Sequence, residues 1–139
     1  MSASNKPAHK SLIAWTNKTL GADPEFDGET ARVEFSFKAG GRYPLECLFQ
    51  AQEPVSIVTI SGHAYLAIPS EKADQVTQYC SENGGEGGTV SVIEGSLVFV
   101  HSRSAETDDG DGGLCGEMVS RANDAVSSVA EGVLAILKP

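Results

Sequence analysis

The chain has 139 residues, 40% of them hydrophobic and 21% charged, the make-up of one globular domain and not of a disordered chain. Its 19 acidic and 10 basic residues give a net charge of −9. No run of Lys and Arg stands against that balance, so direct binding to nucleic acid or to a membrane surface is disfavoured.

Residues 1–7 are polar and are expected to be flexible, with a single α+β domain over residues 8–139. From Ala8, the spacing of Leu12, Ile13, Trp15, Thr16 and Leu20 predicts a helix, with Gly21 as its left-handed stop. ADPEFDGET is read as turn chemistry with Asp27-Gly28 at a hairpin tip. ARVEFSFK alternates, Val33, Phe35 and Phe37 against Arg32, Glu34, Ser36 and Lys38, and so predicts a half-buried strand. After AGG, RYPLECLFQ repeats the pattern with Tyr43, Leu45, Cys47 and Phe49 on one face. VSIVTIS, residues 55–61, is a third strand that could continue past Gly62.

Pro69-Ser70 should open a second helix with Ser70 as N-cap, its buried spacing given by Ala73, Val76 and Cys80 and its end by the glycines of 84–88. TVSVIEGSLVFV reads as a hairpin hinged at Glu94-Gly95. A last helix is expected from Leu114, with Met118, Ala122, Ala125, Val129, Val133, Ile136 and Leu137 on its stripe. The predicted fold is a two-layer α+β domain, an antiparallel five-stranded sheet with three helices in the order α-β-β-β-α-β-β-α.

The third and fifth of these strands are apolar on both faces. Val55, Ile57, Leu97 and Phe99 are assigned to one face, and Val58, Ile60, Val98 and Val100 to the other. A sheet face left to water would alternate more cleanly, so a helix or a second chain should cover the second face. Val58, Ile60, Val98 and Val100 are therefore the candidate partner-binding residues.

The motifs that could carry chemistry fail on spacing. DDGDGG invites a calcium loop, but with Gly112 at the sixth position Thr107 falls first and Met118 twelfth, where a bidentate Glu is required. GGEGG follows a helix and precedes a strand, the reverse of a phosphate-binding glycine loop. His9, His63 and His101 are isolated, and Cys47, Cys80 and Cys115 contain no CxxC pair, so no metal or disulfide framework is expected. There is no GxSxG elbow. Cys47 could in principle serve as a nucleophile with His63 or His101, yet its place between Leu45 and Phe49 favours core packing. Trp15 reads as a helix-to-sheet anchor. No catalytic residue and no cofactor is assigned. A cysteine-dependent enzyme and an acidic-loop ligand sensor are the alternatives to a binding role.

No stretch approaches the roughly 20 apolar residues of a spanning helix. MSASNKPAHKSLIAWTNKTL lacks the apolar core of a signal peptide, and a cytoplasmic location is the expectation.

IPSEKADQVTQYCSEN, GGTVSVIEGSLVFVHS and ANDAVSSVAEGVLAIL together resemble the YbjN domain, a bacterial family with the fold of the type III secretion chaperones. Pro69, Asn83, Gly88 and Gly95 occupy the family's helix-start, helix-end and hairpin places. ARVEFSFKAGGRYPLECLFQ resembles its first hairpin, so the likeness spans roughly residues 8–138. It implies a small, acidic, homodimer-forming, non-enzymatic protein with chaperone-like or regulatory binding to a partner protein. The family pattern carries no catalytic or binding residues onto this chain, which departs from secretion chaperones in its GG-rich linkers and long acidic loop.

Overall fold

Alternation of inward apolar side chains with a mostly polar outer set builds the two longest strands, β2 (Thr30–Ala39) and β3 (Tyr43–Gln52). In β3 the inward residues Tyr43, Leu45, Cys47, Phe49 and Ala51 are all buried, while Pro44, Glu46 and Gln52 are exposed. The computed structural model describes residues 6–83, 89–93, 95–106 and 112–138. Among these, three α-helices and six strands form an α+β protein with one antiparallel sheet in the order β1-β2-β3-β4-β6-β5. The remaining strands are β1 (Glu25–Asp27), β4 (Ile57–Tyr65), β5 (Thr89–Ile93) and β6 (Ser96–Ser104); the helices are α1 (Pro7–Leu20), α2 (Ala73–Asn83) and α3 (Gly113–Leu137).

The sheet has six strands where five were expected. EFD, read as part of a turn, pairs with β2 as a short edge strand, Glu25 opposite Arg32 and Asp27 opposite Thr30. Three residues that follow Asp23-Pro24 and run into Asp27-Gly28 carry too little periodicity to stand out from turn chemistry. Two other boundaries move. Val55 lies in a turn and not in β4, because Ser56 at φ 55° breaks the extended backbone. Ser70 begins a single 3-10 turn (Ser70–Lys72) whose N-cap is Pro69, with no side-chain cap.

The chain divides into two compact units. The first contains α1, β1, β2 up to Phe35, β3 from Leu48, β4 up to Ile60, the end of β6 and the start of α3. Trp15 anchors α1 here, its ring 5.0 Å from Phe35 and 4.9 Å from Phe49. Aromatic pairs in such edge-to-face contact add to the area they bury. α1 ends as predicted: Gly21 sits at φ 63°, and its N–H and that of Ala22 close on the carbonyls of Asn17 and Thr16. The start of α3 is fixed by contact, since Gly112 (φ 89°) lies so close to the Trp15 backbone that a β-carbon would come within 2.9 Å of its nitrogen.

The second unit holds the other ends of those strands with α2, β5 and most of α3. Met118 and Ala122 continue along α3 into Val126, Val129 and Val133, all buried, at a spacing of three and four residues. Asn123 of α3 accepts the Gly40 N–H of the β2–β3 turn at 2.7 Å. Lys72 donates to the Ile136 carbonyl at 2.7 Å, placing a cation at the negative end of α3. The Tyr79 ring of α2 abuts Gly132. The expected glycine stop at 84–88, the Glu94 hinge, residues 1–5 and residues 107–111 of the acidic loop lie outside the described residues. No helix among the described residues is long and apolar enough to cross a membrane.

Candidate functional site

The faces of β4 and β6 are set by one side-chain pair. Thr59 Oγ1 and Ser102 Oγ are hydrogen-bonded at 2.8 Å, so odd residues of β4 share a face with even residues of β6. Val58 and Ile60, both at 0% exposure, therefore belong with Leu97 and Phe99 on the buried face. This corrects the expected grouping of Val58, Ile60, Val98 and Val100. Apolar residues in two neighbouring strands can be phased either way until the pairing register is known, and the register here is the opposite of the one assumed.

The other face keeps Val98, half-buried, and Val100, 45% exposed, and adds two residues absent from the sequence reading. Ser91 pairs with Val98 and Thr89 with Val100, which puts Ile93 on the same face, 55% exposed. Tyr65, 70% exposed at the end of β4, follows Thr59, Ser61 and His63 in phase. Its ring lies beside Gly95 in the β5–β6 turn, and the Leu66 N–H donates to the Gly95 carbonyl. Continuing the alternation of TISGHAY and TVSVI would have found both.

This corner is poor in ionised groups. Residues 89–100 hold a single one, Glu94, in a chain of net charge −9. The two ends of the sheet also differ. β1 has three residues, two of them carboxylates, and all three are exposed. β5 has five residues, TVSVI, with no charge and no proline. Short or charged edges resist pairing with another strand, and an uncharged five-residue edge does not.

The places where reactive chemistry was considered have a different character. Cys47 is buried and its thiol is pushed up to about 12 by loss of solvent. Cys80 is raised for the same reason. A thiol so far from ionising is a poor nucleophile at neutral pH. An open recess of about 270 Å³ in the first unit is lined by Asp23, Glu25, Arg32, Val33 and Glu34. It brings three carboxylates and one guanidinium together. Among the described residues no group of three or more His, Cys, Asp or Glu is placed to hold a metal ion. No family model matches the chain, and no curated protein or solved structure matches it.

Proposed function

We propose that this chain is a non-enzymatic protein-interaction module that associates with a second copy of itself by strand addition along β5. Tyr65, Ile93, Val98 and Val100 form the apolar lining of the contact. The observation that carries this reading is the coincidence of an uncharged five-residue edge strand, β5, with exposed Ile93 and Val100 on its sheet face. Two copies with a net charge of −9 repel each other, and β5 offers an approach with few ionised groups, Glu94 alone among residues 89–100. An antiparallel β5–β5 contact is two-fold symmetric, so each copy offers the other the same surface. The resemblance to YbjN and to the secretion-chaperone fold supports the same role, with chaperone-like or regulatory binding in the cytoplasm.

The test is molar mass by light scattering over a concentration series. The wild type should be a dimer, and Ile93→Asp and Val100→Asp should be monomers with unchanged far-ultraviolet dichroism, because both side chains are already half in water. A wild type that is monomeric at every concentration would end the reading.

A further inference from the structure

Helix α1 starts without a cap of its own. Its N-cap residue Lys6 makes no side-chain capping bond, and its first turn holds no acidic residue. The missing acceptor comes from far along the chain. Glu53, the one carboxylate in the buried set of described residues, accepts the Ala8 N–H at 2.7 Å through Oε2 and the Ser56 hydroxyl at 2.7 Å through Oε1. The turn that carries it is tied down twice: the Glu53 N–H donates to the Glu29 carbonyl at 3.1 Å, and the Ala105 N–H donates to the Ser56 carbonyl at 2.8 Å.

We propose that Glu53 is an acid-released latch that holds α1 on the sheet while ionised and loosens it on protonation. The groups around it are few. α1 presents the Ala8 and His9 N–H groups and the His9 imidazole, whose Nε2 donates to the Glu29 carbonyl at 2.7 Å. The β1–β2 turn presents Glu29, whose own carboxylate faces the Lys6 ammonium at 3.2 Å in the open. The 53–56 turn contributes the Ser56 hydroxyl. A proton on Oε1 is tolerated, since the Ser56 hydroxyl can turn and accept. What disappears is the negative charge at the positive end of the helix.

Burial by itself raises the Glu53 pKa. The Ser56 hydroxyl, the Ala8 N–H, the His9 charge and the His9 N–H outweigh burial and hold the group below its ordinary value of 4.5. The latch is therefore at full strength above that value and weakens as pH falls through the depressed one. Its release frees the Trp15 ring from Phe35 and Phe49.

Trp15 is the single tryptophan, so its emission reports how α1 is seated on its neighbours. The experiment follows Trp15 emission and amide exchange of α1 and α3, corrected for intrinsic rates, from pH 7 to pH 3. In the wild type, α1 should lose protection before α3, by about tenfold for each unit of pKa depression, with a red shift of Trp15. Glu53→Gln should show the weakened α1 protection already at pH 7 and no acid step. Should Glu53→Gln fail to fold, Ser56→Ala, with one donor fewer, should move the α1 step to higher pH. His9→Gln should keep the step. The proposal is overturned by simultaneous loss of α1 and α3 protection, by an acid step surviving in Glu53→Gln, by an unmoved step in Ser56→Ala, or by its loss in His9→Gln.

Discussion

The Tyr79 ring of α2 fills the volume that a β-carbon on Gly132 of α3 would need. A glycine inside a helix ordinarily weakens it, and replacing it with alanine returns about 1 kcal/mol. At Gly132 that gain meets a collision with a half-buried aromatic ring.

Gly132→Ala should therefore destabilise the protein by about 1 kcal/mol net, the overpacking cost exceeding the helix gain. In a Tyr79→Ala background the same substitution should stabilise. Denaturant midpoints of the four members of this cycle measure the coupling. Simple stabilisation by Gly132→Ala in the wild-type background would show that Tyr79 swings aside without cost.

At Gly112 the obstacle is main chain. A β-carbon there would lie 2.9 Å from the Trp15 nitrogen and 3.0 Å from its α-carbon, and φ of 89° adds strain for any other residue. Neither neighbour can rotate away. Gly112→Ala should cost about 2 kcal/mol or more and should alter Trp15 fluorescence. An unchanged spectrum and midpoint would place Gly112 away from α1.

Lys72 sets its ammonium 2.7 Å from the Ile136 carbonyl and 3.4 Å from that of Lys138. Lys72→Met keeps the aliphatic stem and removes the charge. A loss of about 0.3–1 kcal/mol is expected, shrinking as salt is added, with faster amide exchange confined to the last turn of α3. A salt-independent loss would mean that the stem and not the charge matters.

The three cysteines are buried and none forms a disulfide. Ellman's reagent at pH 8 should react slowly with the native protein and rapidly once denaturant is added, because Cys47 ionises only near 12. Rapid native labelling of Cys47 would revive a nucleophilic role for it.

How much of this was legible in the sequence varies with the distance over which each feature acts. The burial of Tyr43, Leu45, Cys47 and Phe49, and the Gly21 stop, follow from residues a few places apart. The faces of β4 and β6 do not, because alternation within Val58–Ile60 and within Leu97–Val100 says nothing of how the two strands register; Thr59 and Ser102 settle that across 43 residues. Glu53 lies 45 residues from the helix it caps, and nothing in QAQEPVS marks it as a capping group. Gly132 reads as a weak point of a helix until the Tyr79 ring is seen against it. Tyr65 and Ile93 are faint in the sequence for a different reason, since each closes an alternating run whose earlier members are polar.

The contrast between β1 and β5 bears on how far assembly can go. Were two copies joined through their β5 strands as proposed, β1 would be the outer strand of each, and a third copy would meet a three-residue edge carrying Glu25 and Asp27. On the proposed β5–β5 pairing, growth along the sheet would stop at two copies, because the pairing is isologous and uses up both apolar TVSVI edges.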